Sequence, residues 1–158
     1  MTALIIDTDI QDDVDDIGAL AVAHGLVSTG EAELLGVVVN TTSRYGAGAV
    51  AAVNTWFGRP EIPIGVLHPL DDSIATDRSK NYAEPLSRDF PHPVTEVDTL
   101  PDAVALYRQL LAQAPDGGVS IVSIGFLTNL AALLASSADQ ISELDGRALV
   151  AAKVARLV

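Results

Sequence analysis

The sequence predicts an α/β fold: a mostly parallel open sheet with helices on both faces, in one domain spanning residues 1–158. Three observations carry that prediction. Leu4–Ile6, Leu34–Val39 and Val119–Ile124 are apolar runs without a charge, as strands covered on both faces require. Each leads into a segment of helical period rich in Ala and Leu. With 158 residues, 49% of them apolar and only 19% charged, the chain can bury a sizeable core. Its mean hydropathy of +0.33 argues against disorder.

The elements follow in order. Leu4–Ile6 is a buried strand that ends in Asp7, and a helix over about 14–27 closes near Gly30. His24 lies on that helix and is assigned no role. Glu33–Asn40 reads as the second strand, which sets Asn40 at its carboxyl end. Tyr45–Phe57 reads as the second helix, closed by Gly58-Arg59-Pro60. Ile62–Val66 is a short third strand that Pro63 confines to a sheet edge. From His68 to about Val97 periodicity fades, and four of the eight prolines lie there with Asp71, Asp72, Asp77, Arg78, Lys80, Arg88 and Asp89. This reads as a long loop with one helical turn, with His92 exposed; loops of such length are often lids. Pro101–Ala114 is a helix capped by Asp98 or Thr99, with Val104, Tyr107, Leu110 and Leu111 on one face. Val119–Ile124 is the fourth strand, Ala131–Ser136 continues a helix, Ile141–Ala151 contains a short one, and Val154–Val158 is a further strand.

Composition excludes several classes. A net charge of −12 opposes nucleic-acid binding, which needs clustered Lys and Arg. Without cysteine there is no disulfide and no thiolate metal site. Met1-Thr2-Ala3 does not open a signal peptide, and no apolar run reaches the roughly 18 residues of a membrane helix. A cytoplasmic protein, with no membrane partner, is expected.

The chemistry concentrates in Asp7–Asp16, which holds six aspartates. Capping accounts for one or two: an N-cap carboxylate is worth about 0.5–2 kcal/mol and a first-turn carboxylate about 0.3–1. The others must overcome repulsion of about 4 kcal/mol per pair at ~4 Å and an effective dielectric near 20. A cation among them removes that cost, and oxygen-only donors suit a hard ion such as calcium or magnesium. The carboxyl ends of strands in an open α/β sheet are where ligands bind. An EF-hand loop fits poorly, because counting from Asp7 puts Asp12 and Gly18 where Gly and Glu are needed. A receiver domain lacks its third-strand aspartate, since that strand here ends at Val66-Leu67-His68. A magnesium-dependent phosphatase using Asp7 and Asp9 usually has Thr or Val where Gln11 stands.

Asp7-Thr8-Asp9, a turn, then Asp15-Asp16 opening a helix resembles the N-terminal signature of the calcium-dependent, inosine–uridine-preferring nucleoside hydrolases. The usual form is D-x-D-P-G-x-D-D-A. Here Ile10-Gln11 replaces Pro-Gly and the turn is two residues longer, so Asp12-Asp13 is the alternative to Asp15-Asp16 as the functional pair. Gly125-Phe126-Leu127-Thr128-Asn129 resembles the family's G-P-L-T-N, read otherwise as a plain N-cap at Thr128 or Asn129. The resemblance implies a Rossmann-like sheet and hydrolysis of the N-glycosidic bond of a nucleoside substrate with Ca2+. It further implies Asp9 as catalytic base and metal ligand, Asp16 and the Thr128 carbonyl as metal ligands, and Asp15 and Asn40 as ribose contacts. Asp7 would position the ligands. It covers about the first half of a typical member, so a truncated chain is expected, and a homo-oligomer is possible. The alternatives are an inactive metal- or sugar-binding domain and the phosphatase.

Overall fold

In the computed structural model, residues 1–11, 13–71 and 82–158 are described; Asp12, and Asp72, Asp77, Arg78 and Lys80 of the long loop, lie outside them. The chain opens with strand β1 (Thr2–Thr8) and helix α1 (Asp15–Ser28). Next come β2 (Ala32–Val39), α2 (Gly46–Trp56), the three-residue β3 (Ile64–Val66) and α3 (Ala83–Asp89). A 3-10 turn at Val97–Thr99 leads to α4 (Ala103–Gln113), β4 (Val119–Ser123), α5 (Thr128–Ala135), α6 (Gly146–Lys153) and β5 (Val154–Leu157).

Among the described residues five strands form one sheet in the order β3-β2-β1-β4-β5, and every pairing is parallel. Period-two alternation divides the core between its faces. Leu4, Ile6, Val37 and Val39 pack in one apolar cluster with Leu20 of α1 and Val50 of α2. Ile5, Val38 and Ile121 pack in the other with Leu106, Leu111, Leu130 and Leu149 of α4, α5 and α6. The strand order reverses at β1, with β2 on one side and β4 on the other, so the carboxyl ends of β1 and β4 frame the switch point at which such sheets bind ligands.

Several boundaries differ from expectation. Pro63 lies outside β3, which is shorter than predicted and is an edge strand. The cap of α4 is Asp102, whose carboxylate accepts from the N–H groups of Val104 at 2.9 Å and Ala105 at 3.4 Å; Asp98 instead pairs with Arg44. The short helix expected within Ile141–Ala151 is α6, which Asp145 caps through the N–H of Ala148 and which runs on to Lys153. His92 is half-buried, held at 2.6 Å by the carbonyl of Ser87.

Candidate active site

The carboxyl end of β1 sends alternate residues to different destinations. Asp7 points into the molecule and is fully buried. Its Oδ1 accepts from the amides of Asn40 at 2.8 Å and Asn129 at 3.3 Å, and its Oδ2 accepts from the Tyr107 hydroxyl at 2.9 Å. One carboxylate thus ties together the segments after β2 and β4 and helix α4. The Asn40 amide donates also to the Phe126 carbonyl at 2.9 Å, and that of Asn129 to the Val39 carbonyl at 3.3 Å. Burial pushes the Asp7 carboxyl up to about 6, against the pull of the Tyr107, Asn40 and Asn129 donors.

Thr8 donates its hydroxyl to Oδ1 of Asp16, which is fully buried at the start of α1. Among the described residues the other oxygen, Asp16 Oδ2, is buried without a hydrogen-bond partner. Burial pushes this acid up to about 6 as well; Thr8 opposes that, and Asp9, Asp15 and Asp13 add repulsion. Among the described residues capping does not explain the cluster, since Val14 holds the cap position of α1 and makes no side-chain cap. Asp13, Asp15 and Asp16 each offer a carboxylate oxygen within 4.8 Å of the other two. Asp9 is half-buried against Gly125, where an added Cβ would come within 2.7 Å of Asp9 Cβ and its backbone nitrogen. Only glycine lets the segment after β4 close so tightly on β1.

Above these acids opens a cleft of about 450 Å³ lined by Asp9, Gln11, Asp13, Asn40, Thr42 and Phe126, among others. Gln11 Oε1, Asn40 Oδ1 and Thr41 Oγ1 are buried around it, and among the described residues they have no hydrogen-bond partners. Buried acceptors without partners are costly unless a ligand, an ion or water satisfies them. The donor set is all oxygen and mainly carboxylate, and it fits a hard divalent cation.

A sequence model described as inosine-uridine preferring nucleoside hydrolase matches residues 4–150. The chain belongs to that family. Solved structures share the fold. The type III effector protein XopQ, complexed with adenosine diphosphate ribose, superposes with a TM-score of 0.74 at 24% identity, over 99% of this chain and 42% of its own. An inosine-uridine preferring nucleoside hydrolase from Bacillus anthracis gives 0.65 at 19% identity, over 100% and 50%. The plant nucleoside hydrolase PpNRh1 gives 0.63 at 20%, over 99% and 46%. No curated protein matches the chain. The chain therefore spans half or less of the length of these structural neighbours.

The structure brings together some of the residues that the resemblance named, and Thr128 is not among those lining the cleft or forming the acidic cluster. Asp9 and Asn40 share the cleft, and Asp15 and Asp16 share the acidic cluster, but Asp13 joins both. Thr128 is exposed as the first residue of α5; Leu127 holds the cap position and no side chain caps the helix, which removes the plain-cap reading of Thr128 and Asn129. A phosphatase nucleophile at Asp7 would have to reach its substrate, whereas Asp7 is sealed in and its two oxygens are engaged. Sequence reasoning missed Thr8, Tyr107 and the amide of Asn129 as partners of the acids. Tyr107 carries no local signal, because its contact with Asp7 is 100 residues away.

Proposed function

We propose that the chain is the metal- and ribose-binding part of a nucleoside hydrolase that cleaves the N-glycosidic bond of ribonucleosides to ribose and free base. The observation that carries this reading is Asp16 Oδ2, a buried carboxylate oxygen without a partner, set among further carboxylates beside an open cleft. Asp9, Asp16 and the carbonyl of Thr128 would hold a calcium ion, which when bound supplies a template for water and ribose hydroxyls.

The remaining work falls to the side chains. Asp9 faces the cleft and accepts a proton from the attacking water as general base. Asp15, exposed at the start of α1, accepts a hydrogen bond from a ribose hydroxyl. The Asn40 amide nitrogen is engaged by Asp7 and Phe126, so it is Oδ1 that meets a ribose hydroxyl. Asp7 touches no ligand; it fixes Asn40 and Asn129 in place. As the C–N bond breaks, positive charge grows on the sugar, and the acidic rim favours it.

A second reading is a chain that binds metal and a ribosyl ligand without turnover. What favours it is the span of half or less of the relatives' length. The test follows base release from inosine and uridine in calcium, with the Asp9→Asn variant alongside and an aryl phosphate as control. Activity on nucleosides, lowered about 10²–10⁴-fold by Asp9→Asn, is expected. Near-normal turnover by that variant would remove Asp9 as base. Ribosyl ligand binding without turnover by the unaltered chain would select the second reading.

A further inference from the structure

We propose that Asp13 is an additional carboxylate ligand of the cation that Asp16 holds, contributed by the lengthened acidic turn of this chain. The inference rests on the metal site proposed above, and three observations meet in it. First, Asp13, Asp15 and Asp16 bring three carboxylate oxygens within 4.8 Å of one another. Like charges held that close repel one another. Second, Asp16 is buried, and among the described residues its Oδ2 has no hydrogen-bond partner. That oxygen needs a positive ion or a donor brought by a ligand. Third, Asp13 belongs to two groups at once. It sits in the cluster with Asp15 and Asp16, and it lines the cleft with Asp9 and Asn40. It therefore borders both the buried acid and the space through which an ion and a substrate enter.

Asp13 itself is exposed, so it gives up little hydration on binding an ion, while adding one more full negative charge to the donor set. The affinity of a calcium site rises with the number of charged ligands. On this account Asp13 tunes ion affinity and does not contact the ribose.

Calcium is titrated calorimetrically into the intact chain after stripping with a chelator. The unaltered protein is compared with Asp13→Asn, Asp13→Ser, Asp16→Asn and a surface control of equal charge change, Glu33→Gln. Both Asp13 variants are expected to weaken calcium binding about tenfold or more. Glu33→Gln is expected to leave it unchanged. Unchanged affinity in Asp13→Asn and Asp13→Ser, with affinity lost in Asp16→Asn, would overturn the role of Asp13 and leave the calcium site standing. An equal loss in Glu33→Gln would reduce the effect to net charge and overturn it too. Failure of the unaltered chain to bind calcium would overturn the metal site and this ligand with it.

Discussion

Two aspartates nine residues apart show how one side-chain type takes two roles. Asp7 has both oxygens satisfied by neutral donors, whereas Asp16 has one satisfied and one open. Both are pushed up to about 6 by burial, from an unfolded value of 3.8. A raised folded value means that the native state binds the extra proton. The stability from each acid is therefore fully present below pH 3.8 and is lost as pH rises through about 6. A displacement of this size corresponds to about 3 kcal/mol at most for one group. In metal-free protein, Asp16→Asn should gain stability relative to the parent as pH rises from 4 to 7.5, and the gap should close when calcium is added to the parent. Urea denaturation at several pH values measures this; parallel pH profiles would mean that Asp16 is not under strain.

At the scale of elements, polar anchors hold the helices that the sheet does not position. His24 of α1 accepts at Nδ1 from Arg59 at 3.3 Å, which leaves its proton on Nε2 to donate to Asn54 of α2 at 2.9 Å, while its ring stacks on Phe57. Arg108 of α4 is almost wholly buried. It grips Asp139 with two nitrogens at 2.8 and 2.9 Å and donates to Ser136 Oγ and the carbonyls of Ser142 and Leu144. One guanidinium thus fastens the segment between α5 and α6. Arg108→Ala should cost about 2–4 kcal/mol, and Arg108→Lys should recover little, because an ammonium cannot match the fork. Hydrogen exchange at the amides of Ile141 and Ser142, which donate to Asp139, should accelerate in both variants. Protection as in the parent would show that the segment does not depend on the anchor. The Asp139 carboxyl is held down to about 2, chiefly by Arg108, so this anchor's contribution is present above pH 3.8 and fades as pH falls toward 2.

For the whole molecule, the reversal of strand order at β1 brings the ends of β1, β2 and β4 to one rim, and the ion is expected to be part of its stability. Calcium at a hundred times its dissociation constant should add about 2.7 kcal/mol to unfolding. For a chain of this size that is a rise of about 5–10 °C in melting temperature, reversed by a chelator. Magnesium, which demands stricter geometry, should give less. Melting curves that do not respond to calcium would remove the ion from the fold. Among the described residues no helix is long and apolar enough to cross a membrane.

The order and type of nearly every element were legible in the sequence, because strands buried on both faces must be apolar throughout and helices over such a sheet must repeat their apolar residues. The acidic turn stood out as a candidate site because crowded carboxylates serve no core, whereas Gly125–Asn129 stood out only through its resemblance to the family's G-P-L-T-N. What only the tertiary structure decided is which oxygen each acid has to spare. Asp7 is spent on Asn40, Asn129 and Tyr107, Asp16 keeps one oxygen open, and Asp13 stands where cluster and cleft meet. Those outcomes depend on partners brought from distant parts of the chain by the parallel sheet, and local sequence carries no record of such distances.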